Sequence, residues 1–225
     1  MQAQTLNISE LFYSIQGESS YAGYPCVFIR LHGCNLRCSY CDATYTYEEQ
    51  GTLMDIEQIM DFVKTHAVSL VQITGGEPLL QDGVIPLMRT LLQDKRIVLL
   101  ETNGSISLSS VPADVIKVMD VKCPGSEMES KFHLANVGML EPYDEVKFVL
   151  SSENDYEWAK SFIQTHLLNC DITGEQQLRP TILFSPVQPQ LPAAHLADWI
   201  LRDQLPVKLQ LQLHTLLWPG ETRGF

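Results

Sequence analysis

The stretch CVFIRLHGCNLRCSYCD, residues 26–42, runs from an apolar segment directly into three cysteines. Residues 26–31 read as a buried strand, because a short apolar run rich in β-branched and aromatic residues packs on a pleated surface. Cys34, Cys38 and Cys41 then follow with the spacing C-x3-C-x2-C. A closed structural zinc site takes four protein ligands, and only three are local here. Two readings stand at this point. One is a zinc knuckle completed by a distant ligand such as His32. The other is a [4Fe–4S] cluster on three thiolates, which leaves one iron open to a chelating small molecule. The remaining cysteines add little: Cys26 begins an apolar strand and belongs to the core, Cys170 follows a helical segment, and Cys123 stands at a strand end without ligand spacing.

Working outward, further strand candidates are residues 71–74, 97–102, 115–121, 145–150 and 181–185. Residues 208–213, KLQLQL, alternate strictly and read as a half-exposed strand. Helical periodicity marks residues 55–66, 83–92, 155–168 and 192–203 between them. Strand–helix alternation predicts a mostly parallel sheet with crossover helices. Only GSISLSSVPAD, a poor helix, separates two of the strands. The expectation is therefore an α/β fold: an incomplete, TIM-like barrel of about six mostly parallel strands with reduced helices. Polar motifs follow strand after strand: HGCNLRCSYCD, TGGEP, ETNG, DVKCPGS and FSP. In such folds the chemistry gathers at the C-terminal ends of the strands.

The chain has 225 residues, no linker-like or repetitive block, and is expected to form a single domain over residues 1–225. Its formal net charge of −12 argues against a nucleic-acid partner, which needs a basic surface. MQAQTLNISELF has neither the basic nor the apolar region of a signal peptide, and no apolar run reaches membrane-spanning length. The expectation is a cytoplasmic protein without a membrane partner, in which thiols stay reduced and serve as metal or reactive sites.

C-x3-C-x2-C with Tyr40 before the last cysteine, followed by TGGEP at residues 74–78, resembles the radical S-adenosylmethionine enzymes. Within them, the segment from Glu10 to Asp42, with QGE and FIRLHGC, and then TGGEP, ETNG, DVK, EVKFV, FSP and LQLQLHTLLWPGETRG, resembles the 7-carboxy-7-deazaguanine synthases over nearly the whole chain. The resemblance implies the radical S-adenosylmethionine fold and a [4Fe–4S] cluster on Cys34, Cys38 and Cys41. It also implies conversion of 6-carboxy-5,6,7,8-tetrahydropterin to 7-carboxy-7-deazaguanine with loss of ammonia. A reductant such as flavodoxin or ferredoxin, assistance by magnesium and a homodimer are implied in the same way.

By the same resemblance, S-adenosylmethionine is held by Tyr40, Gly75, Gly76, Glu77, Asn103, Asp120, Lys122 and Ser126. The two glycines would let backbone approach the ligand, and Glu77 would accept from its ammonium group. The substrate would meet Ile15, Gln16, Gly17, Glu18, Arg30, Thr74 and His214, with Phe225 contributing the chain's terminal carboxylate. Arg30 on an apolar strand must be paired; it reads as a clamp on the substrate carboxylate or as a structural ion pair. Lys147, inside EVKFV, must be paired too, for function or structure. Gln212 and His214 are expected to face one side of the late strand.

One position departs from the family pattern. Ala43 stands where a Thr or Ser commonly supplies a magnesium oxygen, with Thr44 one step later. A methyl group cannot ligate a hard cation, so magnesium is expected to bind through substrate, water or Thr44, or to be needed less, and its dependence is expected to be weak. Two competing functions remain: a glycyl-radical-enzyme activase, which shares the small size and cysteine loop, and a non-enzymatic zinc-binding module.

Overall fold

The computed structural model describes residues 4–167, 180–221 and 223–224. Strands β1 (Thr5–Ile15), β2 (Pro25–Leu31) and β3 (Thr52–Asp55) open the chain, with the short helix α1 (Tyr45–Glu48) before β3. There follow α2 (Ile56–Lys64), β4 (Leu70–Gly75), α3 (Val84–Gln93), β5 (Ile97–Thr102), β6 (Ile116–Asp120) and β7 (Glu145–Leu150). Helix α4 (Glu153–Phe162), β8 (Thr181–Pro186), α5 (Ala193–Asp203), β9 (Lys208–Leu209) and α6 (Leu213–Leu217) complete it. The strands form one sheet in the order β3-β1-β2-β4-β5-β6-β7-β8-β9. From β2 to β9 every pairing is parallel. Among the described residues the sheet does not close, since β3 and β9 are its two edges. The incomplete barrel is as expected, and so is the lack of a full helix between β5 and β6, where only a 3-10 turn (Leu108–Ser110) forms.

The helices form where amphipathic periodicity and caps agree. In α2 the Asp55 side chain accepts from Gln58 N at 2.8 Å while Gln58 Oε1 accepts from Asp55 N at 2.9 Å, a reciprocal cap. Ile59, Met60 and Val63 then share a buried face. Helices α2 and α3 cover one half of the sheet through Val27, Ile29, Leu31, Val71, Ile73, Val98 and Leu100. Helices α4 and α5 cover the other half through Val146, Phe148, Ile182 and Phe184. The opposite, inner face is apolar low in the barrel, where Phe12 and Phe28 stack at 4.7 Å beside Leu99 and Val118. It turns polar toward the strands' C-terminal ends, at Arg30, Thr74, Glu101, Asp120 and Lys147. Period-2 alternation thus puts an apolar plug beneath a polar rim.

Two findings differ from the sequence reading. First, β1 and β3 join as antiparallel strands. A register irregularity between Ile8 and Glu10 interrupts the alternation of β1. Leu6 and Ile8 therefore pack under the helices while Phe12 turns to the inner face. A bulge of this kind hides a strand from periodicity. Second, the strand expected over 208–213 is only Lys208–Leu209. Beyond it the chain drops inward: Gln210 Oε1 accepts from Ser19 N at 2.9 Å, and Leu213 N donates to Gly17 O at 3.0 Å. Gln212 therefore precedes α6 and His214 lies within it, so neither is on a strand. An edge strand has no partner on one side, and these loop contacts replace the missing ladder. Cys170 lies outside the described residues.

Candidate active site

A cavity of about 490 Å³ opens at the C-terminal ends of the parallel strands. The loop after β2 brings Cys34, Cys38 and Cys41 to it, half-buried. Gly76 holds this loop against β4: a Cβ there would collide with Gly33 O and come within 2.6 Å of Cys34 Cβ. Gly75, at φ +144°, lies so close to β2 that a Cβ would sit 2.6 Å from Leu31 N. Tyr40 donates its hydroxyl to Val149 O at 3.0 Å, tying the cysteine loop to β7. Burial pushes the Cys34 and Cys38 thiols up, so binding of a metal must displace their protons.

The floor is a connected polar network. Gln16 donates to Gln72, and Gln72 Nε2 donates to Glu101 Oε2 at 2.8 Å. Thr74 Oγ1 reaches the same oxygen at 3.0 Å. Lys147 Nζ donates to Glu18 Oε2 at 2.6 Å and to Glu101 Oε1, with Asp120 Oδ2 at 3.6 Å. Gln212 Nε2 completes Glu18 at 2.7 Å. Burial alone would raise the Glu101 carboxyl, but Lys147 and then Thr74 hold it down to about 2. Burial likewise opposes charge on Lys147, yet Glu101, Glu18 and Asp120 keep it well above the ordinary lysine range. Lys122 Nζ bonds Asp120 Oδ2 at 2.9 Å, and Asp120 and Cys38 raise it against the effect of burial. Arg30 lies 3.5 Å from Glu10 and between the rings of Phe12 and Tyr45, so it lines the cavity and is ion-paired at once.

Most of the residues singled out from sequence meet here. Ile15, Gln16, Gly17, Glu18, Arg30, Tyr40, Thr74, Gly75, Gly76, Asn103, Asp120, Lys122 and His214 all line the cavity with the three cysteines. Gly17 and His214 are in close packing, since a Cβ on Gly17 would lie 2.9 Å from His214 Nδ1.

Glu77, Ser126 and Thr44 are not among the lining residues. Glu77 is fully buried; its carboxylate accepts from Leu79 N at 3.0 Å, Thr102 Oγ1 at 2.9 Å and Asn103 N at 2.7 Å. It shapes the ETNG turn from behind, an arrangement different from a direct ligand contact. Ser126 is buried and donates to Cys123 O at 2.6 Å. Thr44 starts α1, while Ala43 and Thr46 line the cavity, Thr46 donating its hydroxyl to Ala43 O at 2.7 Å. Phe225 lies outside the described residues. Sequence reasoning missed Gln72, Glu101 and Tyr45, which also line the cavity. A signal existed for two of them: Gln72 and Glu101, like Lys147, are lone polar residues inside apolar parallel strands, which are otherwise hydrophobic on both faces.

The donor set fits an iron–sulfur cluster and its chelating cofactor. Three thiols line one cavity, Cys123 is buried in the core and does not line it, and among the described residues no three His, Cys, Asp or Glu groups gather tightly enough for a single ion. Asp120 Oδ1 is buried without a hydrogen-bond partner among the described residues, on a side chain that lines the cavity. It is an acceptor suited to a polar ligand.

Fold and site together define a radical S-adenosylmethionine protein, and residues 28–121 match the Radical SAM superfamily. A crystal structure of QueE from Escherichia coli has the same fold, with a TM-score of 0.74 at 20% identity, covering 92% of this chain and 94% of that one. Among relatives, the 7-carboxy-7-deazaguanine synthase of Chlorobaculum tepidum is 47% identical over 222 residues, 97% of each chain. That of Koribacter versatilis is 41% identical over 232 residues, 97% of this chain and all of its own. The chain belongs to the 7-carboxy-7-deazaguanine synthase family.

Proposed function

We propose that this chain, acting as one domain, converts 6-carboxy-5,6,7,8-tetrahydropterin into 7-carboxy-7-deazaguanine and ammonia. The product is the substrate less one ammonia, so the net reaction consumes no oxidant. The observation that carries the reading is that three cysteines and a carboxylate-rich floor open into one cavity. When bound, the cluster and S-adenosylmethionine supply an electron and a hydrogen-abstracting radical. Cys34, Cys38 and Cys41 hold the cluster; Gly75, Gly76, Tyr40, Asn103, Asp120 and Lys122 hold the cofactor. Arg30 clamps the substrate carboxylate. Glu18 and Glu101 accept from the N–H edge of the aminopyrimidinone, while Gln16, Gln72 and Thr74 orient them. His214 and the segment around it close over the Gln16–Glu18 loop and exclude water.

The test is an anaerobic incubation with substrate, S-adenosylmethionine and dithionite, read by product mass. Product lighter than substrate by one ammonia is expected. Its absence, with radical transfer to a partner protein instead, would assign an activase. Stoichiometric zinc without iron in anaerobically isolated protein would end the enzyme reading.

Magnesium, a flavodoxin- or ferredoxin-type reductant, a homodimer and a cytoplasmic setting belong to the same proposal. Because the Ala43 side chain offers no oxygen, magnesium is held through substrate, water or Thr44, and its effect is weak. Titration after chelation should change turnover only a fewfold, about the range of a water-mediated contact. An absolute requirement with tight binding overturns that point.

A further inference from the structure

Lys147 is where the two halves of the cavity floor converge. Its ammonium faces Glu18 from the loop after β1, Glu101 from β5 and Asp120 from β6, and its side chain is only 4% exposed. A structural lysine needs one buried carboxylate: Lys117, at the other end of β6, is paired with Asp144 at 3.1 Å. Lys147 has three, and all three line the cavity. Two of them are braced by further polar side chains, Glu18 by Gln212 and Glu101 by Gln72 and Thr74. Holding two carboxylates side by side at a ligand surface is a task beyond fold stability.

Resting on the pterin reading above, we propose that Lys147 is a positioning residue for substrate: its ammonium holds the Glu18 and Glu101 carboxylates adjacent, as paired acceptors for the N–H edge of the heterocycle. Two carboxylates sharing a site repel, and without a common cation one of them takes up a proton. A protonated carboxyl presents a donor where the aminopyrimidinone needs an acceptor. Removal of the Lys147 charge therefore makes binding weaken as pH falls, while the parent stays level. The other charges facing this group are Lys122 behind Asp120, Arg30 acting on Glu101, and His214 beside Gly17. Each is present in parent and variant alike, so the ratio of the two profiles isolates Lys147.

The experiment measures binding of 6-carboxypterin, an unreactive fluorescent analogue, to cluster-loaded protein from about pH 5.5 to 7.5, above the ordinary carboxylate range. Parent affinity is expected to vary less than about twofold relative to the ligand's own titration. Lys147→Gln is expected to lose about tenfold per pH unit on the acid side of the raised carboxyl. Lys147→Arg keeps the level profile, and in turnover Lys147→Gln raises KM far more than it lowers kcat.

If Lys147→Gln fails to fold or to load iron, the double variant Lys147→Gln/Glu101→Gln replaces it. Removing both partners of a buried pair is tolerated better than removing one. With Glu18 alone left of the acceptor pair, and Asp120 still paired with Lys122, it should bind more weakly but with a level profile. A Lys147→Gln profile parallel to the parent's, a loss confined to kcat, or an acid-side loss persisting in the double variant overturns the proposal. A parent that binds no pterin overturns the substrate reading and this inference with it. A parent that binds and turns over, with variants of parallel profile, overturns this inference alone.

Discussion

Cys38 illustrates how one residue can matter to the site and little to the fold. It is half-buried on a loop outside the apolar clusters. Cys38→Ser should abolish the cluster, with iron falling from about four per chain to near zero, while far-ultraviolet dichroism stays unchanged. Glu77 is the opposite case. Its carboxylate satisfies two backbone N–H groups and the Thr102 hydroxyl in full burial. Glu77→Ala strands three donors and should cost about 3 kcal/mol in denaturant unfolding. Glu101 ties stability to pH. Its folded pKa is depressed from 4.5 to about 2, so its contribution is complete above 4.5 and is lost as pH falls toward 2. Urea midpoints of iron-free protein should decline over that interval, and less steeply in Lys147→Gln, where the depressing charge is gone.

At the scale of elements, the site depends on close approach between segments distant in sequence. The cysteine loop rests on the end of β4 because Gly76 has no side chain. Gly76→Ala has to push Gly33 and Cys34 away, so iron loading should fall severalfold while β4, paired on both sides, remains in the sheet. On the other side of the cavity, Gly17 lets the C-terminal segment dock. Gly17→Ala meets His214 Nδ1 at 2.9 Å and its backbone N at 3.4 Å, so the segment must shift. The expected result is a KM for the pterin raised by about tenfold, the scale of one lost polar contact in a binding site, with iron content unchanged. Equal KM values would show that α6 lies outside the substrate's reach.

Across the whole molecule, an open sheet leaves one rim where the ends of β2, β4, β5, β6 and β7 all face the same cavity. Each strand contributes apolar residues to the helix-covered face and, near its end, a polar residue to the inner face. The cluster would bind only the folded arrangement of the three thiols. Anaerobic iron loading should therefore raise Tm, and chelation under the same conditions should lower it to the iron-free value. An unchanged Tm would mean that the loop is uncoupled from the sheet.

The sequence by itself determined strands β2 and β4 to β8, the four longer helices and the three-cysteine loop that lines the cavity. These rest on local signals: apolar runs, 3.6-residue periodicity and a fixed cysteine spacing within one loop. Tertiary structure alone decided what depends on distant partners. It placed β1 in the sheet despite a bulge that breaks its alternation, and it ended β9 after two residues because loop contacts at Ser19 and Gly17 outcompete an unpaired edge. It turned Glu77 inward to brace a turn. It also gathered Glu18, Glu101 and Asp120, far apart in the chain, around Lys147. A buried ammonium needs a carboxylate partner, and the meeting of three at Lys147 is a property of the folded chain.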